Sequence, residues 1–82
     1  MKLSVLSSRQ LAQALKGRRK ALAITQAIAG AKVGLLPKTV SALESEPGSC
    51  TVSSLFKLLS ALDLEIVLRP KVKGNRNPEG EW

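Results

Sequence analysis

The chain has 82 residues, a formal net charge of +7 at pH 7, one cysteine and no histidine. That length fits one small domain, whose core would be marginal alone and would gain from dimerisation. Without a histidine or a second cysteine, we expect no disulfide within the chain, no metal and no cofactor, and lone Cys50 is expected to be an inert filler rather than a redox sensor. The scattered acidic residues show no acid–base spacing, so we expect no catalysis. No apolar run reaches the roughly 20 residues of a membrane span and no signal-peptide core is present, which together with the lone cysteine predicts a cytoplasmic protein.

The first predicted element is a helix that Ser7 or Ser8 caps and that runs to about Lys20. Its apolar residues at core-facing spacing are Leu11, Ala14, Leu15 and Leu22.

Two short helices follow, at about 25–32 and 37–43, joined by a tight turn. Thr25 is a good N-cap, Gly34 marks the turn, and Pro37 suits the first position of the second helix. That second helix has an apolar side, formed by Val40 and Leu43, and an exposed side, formed by Lys38, Ser41 and Ala42. Two helices joined in this way form the helix-turn-helix, whose second helix enters the major groove of DNA.

A turn cluster at 46–49 separates these helices from a further helix that Thr51 is expected to cap. We also expect one additional helical turn in the 43–48 region. The helix after Thr51 has a broad apolar face that we expect to be core, formed by Val52, Leu55, Phe56, Leu58, Leu59 and Leu62.

Residues 64–68 alternate in the manner of a half-buried strand, with Leu64, Ile66 and Leu68 on one face. An unpaired strand edge is an association surface, so we expect this strand to pair with the same strand of a second subunit. The alternative is a monomer in which the strand pairs with residues 3–5.

The domain is expected to span residues 1–69, and residues 70–82 are expected to form a flexible tail because they contain two prolines and two glycines. Trp82 has nothing local to pack against. Tryptophan is enriched among interface anchors, so Trp82 either docks into a partner or folds back onto its own domain.

Charge is divided unevenly along the chain. Residues 1–43 contain eight basic and no acidic side chains, whereas residues 44–82 contain five basic and six acidic ones, giving +8 and −1. This asymmetry predicts a polyanion partner for the first half. Double-stranded DNA is favoured over a membrane, because no basic amphipathic helix with aromatic anchors is present.

The motif residues also resemble a known family. Those in the register of Cro/C1-type (xenobiotic-response-element) helix-turn-helix proteins are Thr25-Gln26, Gly30, Gly34, Thr39-Val40-Ser41 and Glu44. The flanking segments SSRQLAQALKGRRK and TVSSLFKLLSALDLEIVL, with a polar tail ending in Glu81-Trp82, resemble the HipB-type antitoxins. Ala29-Gly30, where leucine-alanine is usual, and Leu36, where a polar cap is usual, depart from the family pattern.

The resemblance implies an all-α, lambda-repressor-like domain of four to five helices, with one C-terminal strand that pairs across a homodimer. It further implies a DNA-binding antitoxin that represses its own operon and holds a HipA-type serine/threonine kinase inactive, with Trp82 docking on that partner. It also implies a partly buried ion pair between Arg19 and Glu44.

The exposed start of the second motif helix supplies the candidates for reading DNA sequence. Lys38 and Ser41 can reach base edges or a nearby phosphate, and Leu36 can touch a thymine methyl group. Contacts to the phosphate backbone are expected from Gln26, Lys32, Arg18 and Lys20. Thr39 is expected either to point towards a phosphate or to cap the helix locally. An inverted-repeat operator would match the symmetry of a dimer.

Two other functions remain open from the sequence. One is a stand-alone repressor, phage-like or chromosomal, without a toxin partner. The other is a basic interaction adaptor, whose activity would depend little on Lys38 or Ser41.

Overall fold

The computed structural model describes residues 4–71, and these residues form four α-helices and one 3₁₀ turn but no β-strand. The elements are α1 (Ser8–Ala21), α2 (Gln26–Ala31), α3 (Pro37–Leu43), the 3₁₀ turn (Pro47–Ser49) and α4 (Val52–Ala61). The prediction of an all-α domain of four to five helices is therefore confirmed, whereas its C-terminal strand is not seen among the described residues. The additional helical turn, expected in the 43–48 region, lies at Pro47–Ser49. Among the described residues, no helix is both long and apolar enough to cross a membrane.

Three of the four helices begin at the hydroxyl caps that the sequence predicts. The side chains of Ser7, Thr25 and Thr51 each accept a hydrogen bond from the backbone amide three residues further on, at 3.2, 3.1 and 3.0 Å. Each bond satisfies a backbone donor that the first turn of a helix leaves unpaired. The exception is α3, where Leu36 occupies the cap position without a side-chain hydrogen bond and Pro37 begins the helix.

All four helices contribute to one small core. Its buried apolar residues are Ala12, Leu15, Ala29, Val40, Leu43, Leu58, Leu59, Ala61 and Leu62. The core-facing predictions for Leu15, Leu58, Leu59 and Leu62 are thus confirmed, and Leu11 and Leu55 pack against the same core from partly buried positions.

Three residues predicted to face the core are instead exposed in the single chain. Val52 and Phe56 on α4 have exposed fractions of 65% and 54%, and Leu22, after the end of α1, has 37%. The core prediction for these residues was wrong: the apolar face of α4 is wider than the surface that the other helices cover, and Leu22 lies at the C-cap of α1, where the helix ends. Periodicity identifies an apolar face, but it does not say how much of that face a neighbouring helix covers.

The turn between α2 and α3 depends on two glycines. Gly34 has φ +74°, a conformation that L side chains rarely adopt. The carbonyl of Gly30 accepts a hydrogen bond from the amide of Leu35 at 2.9 Å, and a Cβ atom on Gly30 would collide with the carbonyl oxygen of Leu35. Close approach at Gly30 therefore holds the two motif helices in their relative positions.

The segment after α4 passes close to the start of the chain. Leu64 is partly buried against the core, whereas residues 65–71 are exposed and form no strand. The Nη2 atom of Arg69 donates a hydrogen bond to Oγ of Ser4 at 3.0 Å. Ser4 and Val5 are not in a strand either, so the described residues do not show the in-chain pairing considered above. Pairing across a dimer stays a prediction, and Trp82 lies outside the described residues.

Candidate nucleic-acid interface

Helix α3 has one side in the core and the other side facing solvent. Val40 and Leu43 are fully buried, and Lys38 and Ser41 are exposed, as the sequence predicts. Ala42, also predicted to be exposed, is half-buried. The buried side fixes the orientation of α3, so that Lys38 and Ser41 are presented together on the outer surface of the motif.

A shallow, open depression lies between the end of α1 and the starts of α2 and α3. The residues that line it are Arg19, Lys20, Ala23, Ile24, Thr25, Gln26, Ala27 and Pro37. Two basic residues of α1, Arg19 and Lys20, thus lie beside Thr25 and Gln26 at the start of the helix-turn-helix. Lys32, the residue that follows α2, is exposed, and Thr39 is half-buried.

The ion pair implied by the family resemblance is present between Arg19 and Glu44. Nε of Arg19 lies 2.6 Å from Oε2 of Glu44, and Nη2 of Arg19 lies 3.1 Å from Oε1. The remaining arm of the guanidinium donates to the backbone carbonyl of Ile24 at 2.8 Å. The two side chains are only 11% and 3% exposed, so the pair is largely withdrawn from water.

The pKa of Arg19 is affected by its contact with Glu44. The hydrogen bond to Glu44, assisted by the attraction of its charge, raises the pKa of Arg19 against the opposing effect of burial. A raised pKa in the folded state means that the contribution of Arg19 to stability is fully present below the ordinary pKa of arginine. It is lost only when the pH rises through the still higher pKa of the folded state.

Two residues predicted to contact phosphates also make contacts inside the domain. Nε2 of Gln26 donates to Oε1 of Glu44 at 3.2 Å, and Nε of Arg18 donates to the backbone carbonyl of Leu62 at 3.0 Å. Gln26 is therefore positioned through the buried ion pair, and Arg18 ties α1 to the end of α4. Sequence reasoning missed both contacts, because partners 18 and 44 positions apart leave no local signal.

Comparisons with known proteins give one consistent result. No family model matches the chain. Antitoxin HipB of Escherichia coli strain K12 is 34% identical over 64 residues, which cover 78% of this chain and 73% of that protein. Antitoxin HipB of Escherichia coli O6:H1 is 33% identical over 64 residues, which cover 78% of this chain and 68% of that protein.

Solved structures of HipB are similar to most of this chain. A HipA–HipB–O2–O3 complex matches with a TM-score of 0.83 and 31% identity, over 87% of this chain and 100% of that chain. A HipB–O4 20-mer complex matches with a TM-score of 0.80 and 32% identity, over 84% of this chain and 97% of that chain. With sequence and structure in agreement over most of both chains, this chain belongs to the HipB antitoxin family.

Proposed function

We propose that the chain is a dimeric, sequence-specific DNA-binding antitoxin that represses its own operon and neutralises a HipA-type serine/threonine kinase. The observation that carries this proposal is the similarity, over 87% of the chain, to HipB in a complex that also contains HipA and operator DNA. The exposed Lys38 and Ser41 on α3, in the more basic half of the chain, agree with it.

The start of α3 reads base edges in the major groove. Lys38 can donate to O6 and N7 of guanine, and the hydroxyl of Ser41, one turn further along, can reach several bases. Both side chains are exposed, and the buried Val40 between them keeps the helix from rotating. Both residues therefore contribute to the sequence preference of the protein.

Contacts to the phosphates fix the position of the domain on the duplex. The nitrogen Nε2 of Gln26 carries two hydrogens, of which one is bound to Glu44, so the other can reach a phosphate oxygen. Arg18 uses Nε inside the domain, and its terminal nitrogens supply the positive charge. The remaining backbone contacts come from Lys20, Lys32 and Thr39.

Dimerisation uses the exposed apolar segment after α4. Ile66 and Leu68 are 44% and 91% exposed in the single chain, and an apolar segment of this kind gains stability by pairing with a second copy. The strand formed by Leu64, Ile66 and Leu68 would pair across the two-fold axis. The exposed Val52 and Phe56 on α4 add apolar surface that a second subunit can cover.

Trp82 is proposed to anchor the kinase. A tryptophan that enters a partner's pocket removes a large apolar surface from water and dominates the binding energy at many interfaces. The stand-alone repressor remains the second candidate, and membership of the HipB antitoxin family favours the antitoxin.

Binding to DNA can be tested with the purified full chain and a duplex that carries the inverted repeat upstream of its own gene. Affinity is expected to fall by about a thousandfold or more between about 50 and 200 mM salt, if a dimer makes roughly six or more phosphate contacts. Lys38→Ala should weaken binding strongly. The matched control is Lys57→Ala, which removes one exposed charge from α4. Salt-insensitive binding, or equal affinities for the two variants, would contradict the proposed DNA contacts.

Binding to the kinase can be tested by a pull-down from the native host with an N-terminal tag, comparing the full chain with a version that lacks Trp82. Recovery of a kinase-like protein in near-equal amount, and its loss with the truncation, is the expected result. Recovery of DNA without a stoichiometric protein would favour the stand-alone repressor.

A further inference from the structure

Leu36 is unusual in two respects, as a helix cap and as an exposed apolar residue. It occupies the cap position of α3 without any side-chain hydrogen bond, whereas the other three α-helices have a serine or threonine there. Its side chain is also 63% exposed, although the adjacent Leu35 is packed against the core. A leucine at this position therefore provides neither a cap nor burial, and local rules are most often broken where a residue serves binding.

The position of Leu36 indicates what it binds. It directly precedes α3, the helix whose first residues contact base edges in this type of motif. Pro37 beside it also has an apolar side chain, and it has no backbone amide hydrogen. The side chains of these two residues therefore present an apolar surface without a hydrogen-bond donor or acceptor. Among the groups at the edges of unmodified base pairs in the major groove, the thymine 5-methyl group is the one that prefers an apolar contact.

We infer that Leu36 reads a thymine methyl group in each half-site of the operator, next to the base pair that Lys38 contacts. This inference rests on the proposed DNA-binding function and specifies the sequence chemistry that the function recognises. Lys38 supplies a polar contact and Leu36 an apolar one, so the half-site combines a guanine with a neighbouring thymine.

Replacing thymine by deoxyuridine isolates this contact, because it removes the methyl group and leaves every hydrogen-bonding group of the base pair in place. The probe is the duplex that the full chain enriches from a library of inverted repeats with randomised half-sites. Each thymine is then replaced singly by deoxyuridine. Burial of one methyl group is worth about 0.8 kcal/mol, so affinity should fall about fourfold per half-site and about fifteenfold when both half-sites are changed.

Three proteins complete the experiment. The unmodified chain should lose affinity at one specific thymine in each half-site. Leu36→Ala, which alters only an exposed side chain, should no longer distinguish thymine from deoxyuridine there. Lys38→Ala should bind more weakly overall but keep the same dependence on the methyl group.

Two results would overturn the inference while leaving DNA binding intact. One is that no thymine responds to deoxyuridine. The other is that Leu36→Ala and the unmodified chain respond equally. If the library yields no enriched sequence, both the inference and the proposed sequence-specific function fail, so the two failures are distinguishable.

Discussion

Replacing Arg19 with alanine should destabilise the domain severely, because it leaves a buried carboxylate without its cation. Glu44 is 3% exposed, and its oxygens accept two hydrogen bonds from Arg19 and one from Gln26. In Arg19→Ala only the Gln26 amide, 3.2 Å from Oε1, would still hold that charge, and the carbonyl of Ile24 would lose a donor. Removing one partner of a buried ion pair costs about 3–5 kcal/mol of unfolding free energy.

That loss is large for a chain of this size. Native domains unfold with roughly 0.05–0.15 kcal/mol per residue, which corresponds to about 4–12 kcal/mol for this chain. Arg19→Ala would therefore remove a major share of the stability or leave the chain unfolded.

The assay is urea denaturation followed by far-UV circular dichroism at one fixed protein concentration. Lys16→Ala is the matched control, since it removes one exposed positive charge from the same helix and should change stability by less than about 0.5 kcal/mol. The double variant Arg19→Met/Glu44→Leu should be much more stable than the sum of the two single losses predicts, because it leaves no buried charge unpaired. If Arg19→Ala unfolds at the same urea concentration as Lys16→Ala and weakens only DNA binding, the structural role of the pair is refuted.

Three further substitutions test other parts of the fold. Gly30→Ala should lower the free energy of unfolding by about 1–3 kcal/mol because the new methyl group collides with the carbonyl of Leu35, and a higher melting temperature would contradict that close approach. Ala23→Gly should stabilise the domain by about 1 kcal/mol, since Ala23 has φ +59° in the turn after α1, and a lower melting temperature would count against it. Leu68→Asp alters a side chain that is 91% exposed, so it should preserve the helical circular dichroism spectrum but weaken the dimer in sedimentation experiments; an unchanged dimer would place the interface elsewhere.

The parts of the fold that depend on residues close together in the sequence could be predicted from it. The caps at Ser7, Thr25 and Thr51, the turn at Gly34 and the helix start at Pro37 all involve partners within a few positions. Such features follow from side-chain chemistry and backbone geometry alone, and the structure has them where the sequence indicates.

Features that depend on distant partners were less accessible. The Arg19–Glu44 pair was expected only through the family resemblance, and nothing in the sequence signalled that Arg18 would bind the carbonyl of Leu62. The exposure of Val52 and Phe56 was missed for a related reason, since an apolar pattern is the same whether another helix or a second subunit covers it. The partners of the ion pair could thus be predicted by analogy with the family. The extent of the core could be determined only from the positions of the packed helices.

The central claim, that this chain neutralises a HipA-type kinase, is tested most directly by growth of a host that expresses a HipA-type kinase from the same organism as the chain. Growth should stop when the kinase is induced alone and resume when the full chain is co-expressed. Lys38→Ala should also restore growth from the same expression level, because neutralisation and base reading use different parts of the chain. Growth arrest that persists despite equal accumulation of the chain and the kinase would contradict the antitoxin assignment.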